Sequence, residues 1–462
     1  MSILNSKITE VSEIKFKTID ISTKSYKQSE NLRKSKFLRF ITLFFRPSFS
    51  QAIIVITDQG FCSIANFLTG VLVARACSKE EYGVFVIGLT ILYLMTGLQN
   101  SLISGPYTIL YPRCEVDERC KYLGSTLIHQ IFLLILTAIA FIIGSLICFF
   151  IKANPVLTSN LFMLSLASFA VMIREFVRLT MLAELKVWLN LAMSLVINIS
   201  TVTAMLIVYK TKILTLSNAY LIMTCCSGIP ALYITGIYVK KMVLIKSRIW
   251  NDFKLNFKLG KWLVGRTFAY MGSNQVYPVA LAAFHGTATV ALYGACLQLA
   301  NLLNPLCTGM NIFLMPKLSH LSVHDPQKTD KLVLYVMVWL ALMLAMLFLV
   351  MLFIGNWAVT KLYGQNYMDL NPVLLMCILA ISASVLSSPI SIAIDARKGT
   401  LITFKGRVFG AILSLTIGLV CVIFRGPVGA ALGLFISHVL TGLYWLYKAN
   451  TFRYERLAIE NY

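Results

Sequence analysis

At 462 residues, with 58% hydrophobic side chains, only 13% charged ones and a mean hydropathy of +0.77, the chain carries too little polar surface for a soluble protein. Repeated apolar runs of about 20 residues predict membrane-spanning helices; a β-barrel would alternate in segments of about ten. The net charge of +22 follows the loops rather than clustering, which argues for topology and against a nucleic-acid partner.

Residues 1–50 form a basic N-terminal segment. As far as about residue 35 they are Ser/Lys-rich and lack helical periodicity, which predicts disorder or loose attachment. KFLRFITLFFRPSF (36–49) mixes Lys36, Arg39 and Arg46 with five phenylalanines and reads as a short interfacial helix on an anionic leaflet. The first apolar run starts too late for a secretory signal peptide. Twelve spans are predicted near 52–75, 84–104, 122–151, 156–182, 187–209, 216–239, 260–284, 288–315, 331–355, 370–394, 399–424 and 428–447. The gaps are short, leaving no room for a soluble catalytic domain.

Loop charge sets the orientation. With the N-terminus cytoplasmic, 34 of the 41 Lys and Arg residues fall on the inside and seven (Arg75, Lys79, Lys152, Lys210, Lys212, Lys361, Arg425) on the outside. Both termini are therefore expected in the cytoplasm. The longest inside connection, about 240–259, is basic and divides the chain into a lobe over 51–239 and a lobe over 260–448, with a cytoplasmic tail over 449–462. Internal repetition supports the division. Gly60, Gly83 and Pro106 are spaced by 23 and 23, and Gly272, Gly294 and Pro316 by 22 and 22, with both middle glycines following tyrosine. The expected fold is an all-α integral membrane protein of about 12 transmembrane helices, in two pseudo-symmetric six-helix lobes around a central cavity.

The first span, VITDQGFCSIANFLTGVLVARA (55–76), carries charged and amide residues where lipid would forbid them. On a helical wheel Asp58, Gln59, Ser63, Asn66, Thr69 and Gly70 share one arc, and Phe61, Ile64, Ala65, Leu68, Val71 and Leu72 the other. In the seventh span Arg266, Tyr270, Ser273 and Tyr277 fall at i, i+4, i+7 and i+11, flanked by Thr267 and Asn274. The eighth adds Gln298, Asn301, Pro305 and Thr308. Polar stripes at corresponding places in both lobes predict two walls of one water-filled cavity.

Arg174 and Arg178 stand one turn apart in the fourth span, with Glu175 and Glu184 nearby. They fit either an inside helix end obeying the charge bias or a cationic lining for an anionic headgroup. Pro230, Pro278, Pro305 and Pro389 lie inside spans, as bending points or as static kinks. Of eleven cysteines, eight lie in apolar spans, so no disulfide framework is expected. Cys114 and Cys120 near His129 lack tight ligand-pair spacing, and His320 and His324 beside Asp325 read as a solvated helix end, so no metal site is predicted. No nucleophile–base pair, phosphate-cradling glycine loop or carboxylate pair is present, so no catalytic residue is assigned and no enzyme is expected.

The stretches DQGFCSIANFLTGVLVARACSKEEYGVF, GSNQVYPVALAAFHGTATVALYGACLQLANLLNP and VTKLYGQNYMDLNPVLLMC resemble the Wzx-type oligosaccharide flippases of the multidrug/oligosaccharidyl-lipid/polysaccharide exporter superfamily, over roughly residues 50–450. The resemblance implies alternating access that moves undecaprenyl-diphosphate-linked oligosaccharide from the cytoplasmic to the outer leaflet of a bacterial inner membrane, for O-antigen or other surface polysaccharide. It also implies membrane lipids, a polysaccharide polymerase and a chain-length regulator as partners, and proton or sodium coupling in place of a cofactor. By position Asp58 would be the ion-coupling residue, and Arg75, Asn274 and Gln275 match recurring family positions. On that reading Arg266, Arg174 and Arg178 hold the diphosphate, and Tyr270, Tyr277, Asn274, Gln275, Asn66 and Asn301 meet sugar. The long basic N-terminus departs from the family. A multidrug or metabolite cation antiporter on the same fold is the alternative, and would call for a net negative cavity. A membrane-embedded glycan polymerase or ligase would need a charged outside loop that this chain does not have.

Overall fold

Every predicted apolar run is a helix in the computed structural model, which describes residues 47–150, 155–397 and 399–460. The basic segment over 1–46, with most of the expected interfacial helix, lies outside the described residues. Twelve helical rods follow one another: α1 (Pro47–Ala76), α2 (Lys79–Arg113), α3 (Val116–Phe150), α4 (Pro155–Ala183), α5 (Val187–Lys210) and α6 (Leu216–Val239). Then come α7 (Lys246–Asn274 and Val276–His285), α8 (Thr287–Ala300 and Asn304–His324), α9 (Pro326–Tyr363), α10 (Asn371–Ala396), α11 (400–425) and α12 (427–460). Within the stretch read as a connection between lobes, residues 246–259 are already the start of α7. The described residues from Ile56 onward form one compact unit.

Among the described residues, ten helices are long and apolar enough to cross a membrane. Two effects separate ten from twelve. The lysine-rich start of α7 dilutes its hydropathy, leaving only the short apolar piece Val276–His285, and α11 with α12 reads as one stretch, Thr400–Thr451. α9 shows why the surroundings must be lipid: its most apolar window has a mean hydropathy of 2.9 yet is only 6% buried within the protein. Phe353, Phe150 and Phe424 likewise stand on the outside.

The helices break where prolines demand it. A proline ring collides with the carbonyl four residues earlier and donates no N–H. For Pro106 that carbonyl belongs to Leu102, inside the π turn Asn100–Ser104 of α2. For Pro278 it is that of Asn274, and Gln275 leaves the helical region at φ −104°, ψ 0°. For Pro305 it is that of Asn301, in the 3₁₀ turn Asn301–Leu303. Between α11 and α12 the chain turns at Gly426, whose φ of 53° a side chain would disfavour, just before Pro427. Pro230 and Pro389, by contrast, sit inside uninterrupted helices.

Other ends are capped from the sequence. Ser78 and Glu81 form a reciprocal capping box at the start of α2. Asp325 accepts from the Lys328 N–H at the start of α9, and the Lys328 bonds hold its carboxyl below the usual range.

Candidate translocation cavity

The two sixes of helices meet most tightly where α1 ends and α2 and α8 begin. Gly83 of α2 lies against the Thr287 backbone, and Gly294 of α8 against Val86. These are the two glycines of the sequence repeat, and both serve the same crossing: without a Cβ, each lets the opposite helix approach. Polar groups complete the contact. Tyr82 Oη donates to Gln298 Oε1 at 2.9 Å, and Gln298 Nε2 donates to the Asn66 carbonyl at 2.9 Å. Arg75 extends from the end of α1 and donates to the carbonyls of Lys361 and Leu362, both at 2.7 Å, at the C-terminus of α9. One end of the molecule is thus clasped between its halves.

Away from that clasp lies a cavity of about 850 Å³. Its walls come from α1, α2, α4, α5 and α6 on one side and from α7 and α11 on the other. Asn66, Arg174, Arg178, Arg266 and Tyr270, all expected at the site, line it, together with Gln59, Cys62, Asn198 and Thr267. Toward the far end the first half of α7 lies across α2 and α3. Ser101 and Thr267 hydroxyls are 2.7 Å apart, Tyr122 Oη donates to Asn256 Oδ1 at 2.6 Å, and Arg248 pairs with Glu118 and Asp252.

The electrostatics of the lining differ from the sequence reading in one respect. Arg174 and Arg178 both bind Glu175, each at 2.8 Å, and Glu175 itself lines the cavity. One carboxylate therefore offsets part of two guanidiniums. On the opposite wall Arg266 and Arg407 carry no ion pair among the described residues and repel one another. The lining holds four guanidiniums against one carboxylate. Glu184 is elsewhere, accepting from Tyr111 and Tyr238 and paired with Lys186.

Asp58 does not line this cavity. It is fully buried within the first six helices, where Asn190 of α5 donates to Oδ2 at 3.1 Å and Oδ1 has no partner. Its neighbour Gln59, 100° further round the helix, faces the lumen instead. Arg178 lies within electrostatic reach of Asp58.

Asn274 and Asn301 line a second, smaller cavity that shares Tyr270 and Arg407 with the first. Gln275 sits at the break in α7, with Thr90 of α2 donating to it at 3.5 Å. Tyr277 lines neither cavity. It is fully buried, donates to Ser414 at 3.0 Å, and packs between Gly418 of α11 and Gly433 of α12. The residue that sequence reasoning missed is Arg407, counted there among inside-loop charges. Its signal was available: an arginine two turns into a helix that is apolar beyond it, between Gly406 and Gly410.

No protein-family model matches the sequence, and no curated protein matches it. Solved structures do. An inward-facing multidrug resistance MATE family transporter of the MOP superfamily superposes with a TM-score of 0.68 at 10% identity, covering 84% of this chain and 94% of that one. The lipid II flippase MurJ in an inward closed conformation gives 0.67 at 16% identity, covering 86% and 87%. The fold is the one seen in this MATE family transporter and in MurJ. An outward-facing MATE transporter gives a TM-score of 0.59 at 12% identity, covering 89% of this chain and 95% of that one. The described fold is thus one shared with multidrug resistance transporters and a lipid II flippase.

Proposed function

We propose that this protein is a lipid-linked oligosaccharide flippase, moving undecaprenyl-diphosphate-linked glycan from the cytoplasmic to the outer leaflet of a bacterial inner membrane for surface polysaccharide synthesis. The observation that carries this reading is the charge of the main cavity: four guanidiniums and one carboxylate on its walls, with Arg266 and Arg407 unpaired. Guanidinium offers parallel donors to phosphate oxygens and keeps its charge at any working pH. A cation antiporter needs the opposite sign, and Asp58 is sealed away from the lining.

In this reading the diphosphate sits between Arg266 on one wall and Arg174 and Arg178 on the other. Asn66, Tyr270 and, beyond it, Asn274 and Asn301 contact sugar, while the polyprenyl tail stays in lipid. Both termini are cytoplasmic, as the loop charges require, so the clasp lies toward the outside and the cavity serves the inner leaflet. Asp58 is the proton or sodium site: a fully buried carboxylate with one hydrogen bond and a free oxygen gains most from a cation. A polysaccharide polymerase and a chain-length regulator would receive the flipped product.

Deleting the gene in its host and analysing surface glycan and lipid-linked intermediates tests the reading. Loss of polymer, with lipid-linked oligosaccharide trapped on the inner leaflet, is expected. Intact glycan with new sensitivity to cationic compounds would overturn it in favour of the cation antiporter.

A further inference from the structure

The second cavity, about 230 Å³, is built entirely by α7, α8, α10, α11 and α12. Its lining is unusual for the interior of a membrane protein. Ser384, Ser387, Ser388 and Ser391 form one face of α10, at i, i+3, i+4 and i+7, which gives a purpose to the serine-rich stretch before and after Pro389. Opposite them stand the amides of Asn274, Asn304 and Asn311, whose Nδ2 groups are committed to Tyr270 O and Ser273 Oγ, to Asn301 Oδ1 and to Cys307 O. Their amide oxygens are left to accept.

Two ring nitrogens without partners lie within the wall from α12, Trp445 Nε1 packing against Gly406. Trp445 is only 6% exposed and its Nε1 has no partner, and the same holds of Nε2 of His438. Arg407 supplies an unpaired positive charge at the mouth shared with the main cavity, its guanidinium 5.8 Å from the Trp445 ring. No carboxylate lines the space.

We infer that this cavity is a binding pocket for a single acidic sugar ring, a hexuronate-type pyranose. Its carboxylate pairs with Arg407 and its hydroxyls lie between the serines of α10 and the asparagine oxygens. Several constraints select this class. Serine hydroxyls on one side and amide oxygens left to accept on the other match a polyol, which both donates and accepts. The lone guanidinium selects one negative charge and rejects an ammonium group, since no carboxylate stands in the lining and Asp395, the acid within its electrostatic reach, lies outside it and accepts from Thr403. The volume, that of roughly eight liquid waters, suits one ring and not an oligosaccharide. The pocket joins the main cavity through Tyr270 and Arg407, so under the function proposed above it would hold one sugar of the glycan while the diphosphate occupies the larger space. The inference rests on that function for its biological meaning, although not for its binding.

The test uses the full-length purified protein in lipid nanodiscs and reads its thermal midpoint against added glucuronate, glucose, acetate and chloride. A free ring of about 13 non-hydrogen atoms is expected to bind in the millimolar range, so concentrations on the order of 50 mM should raise the midpoint by mass action. We expect glucuronate alone to do so, with at least a tenfold weaker apparent affinity in Arg407→Ala and no loss in Lys210→Ala, an exposed charge at the end of α5. Should Arg407→Ala fail to fold, Ser384→Leu, which fills the pocket from α10 without changing charge, must abolish the response. An equal response to glucose would overturn the acidic requirement, a response to acetate or chloride would mark a simple anion site, and no response would remove the pocket altogether. Because the readout is binding and not transport, a protein that binds glucuronate yet leaves surface glycan intact on deletion would sink the flippase reading and keep the pocket.

Discussion

Replacing Gly83 by alanine should push the two halves of the molecule apart at the clasp. A methyl group there would lie 2.6 Å from the Thr287 carbonyl carbon and closer still to its oxygen, where ordinary van der Waals contact begins near 3.4 Å. The obstacle is backbone, so no rotamer change relieves it; α2 and α8 must separate by roughly 1.5 Å. Overpacking of this kind costs about 1–3 kcal/mol. The cost falls on the clasped arrangement alone, so it converts to a roughly five- to hundred-fold rise in the population with this end open.

Cys77 reports that population without engineering. It follows α1 directly, and burial, with Glu81 adding to it, pushes its thiol up from the usual 9.0 to about 12. Only the thiolate reacts, so in the clasped protein labelling by a membrane-impermeant maleimide is slow and keeps rising with pH beyond the usual thiol range. Opening hydrates Cys77 and returns it toward its ordinary value. Gly83→Ala should therefore speed Cys77 labelling, read by mass spectrometry, by about five- to hundred-fold at neutral pH. Gly60→Ala is the control, since an added methyl there meets nothing within 4 Å. Equal Cys77 rates in both variants and the parent would refute the reasoning, because the tightest crossing between the halves would then carry no conformational energy.

Three further outcomes follow from the same geometry. Gln298→Leu removes the acceptor of Tyr82 Oη and the donor to the Asn66 carbonyl; leaving such groups unpaired costs about 1–3 kcal/mol, so Cys77 labelling should again accelerate, and an unchanged rate would show that water replaces the clasp freely. Glu175→Gln strips Arg174 and Arg178 of their shared counter-charge and should destabilise the protein by about 3 kcal/mol, measured as a lower thermal midpoint; a midpoint equal to the parent's would mean that cavity water already screens the pair. Asp58→Asn keeps an acceptor for Asn190 while removing a buried charge, so the midpoint should hold or rise while ion-driven transport is lost; a sharp fall in the midpoint would instead make Asp58 structural.

The architecture was legible because lipid makes the sequence speak plainly: a run of apolar residues long enough to span has few alternatives to a helix. The cavity was legible in part, through polar residues that lipid would not tolerate, and Asn66, Arg266 and Tyr270 line it. Tyr277 shows where the reasoning stops. Its place in the seventh-span stripe assumed 100° per residue from Arg266 onward, but the helix breaks at Gln275, and the register beyond turns Tyr277 toward Ser414. Asp58 shows a second limit. A wheel groups residues across an arc, whereas a single step of 100° separates Gln59 in the lumen from Asp58 against Asn190. Arg407 was hidden by an honest count, since a loop-charge tally cannot tell an arginine at a helix end from one two turns inside it.

The repeat itself has a physical use that neither half would reveal alone. Gly83 and Gly294 follow Tyr82 and Tyr293, both fully buried, and the two glycines meet at one crossing. Buried Val71, Phe85 and Val290 already pack there in one cluster with both tyrosines, and larger side chains in place of the glycines would add to the surface exposed on opening, at about 25 cal/mol for each Å². Glycine offers close approach with little apolar area, and Gln298, Tyr82, Arg75 and the carbonyls they bind can each trade a protein partner for water at a net cost of about 1 kcal/mol. A contact assembled in this way is specific in geometry and costs less to open than one sealed by larger side chains. In the proposed transport cycle that is the property required, since an end that must open once per substrate can be held by only a few kcal/mol, within reach of one bound ion or one diphosphate.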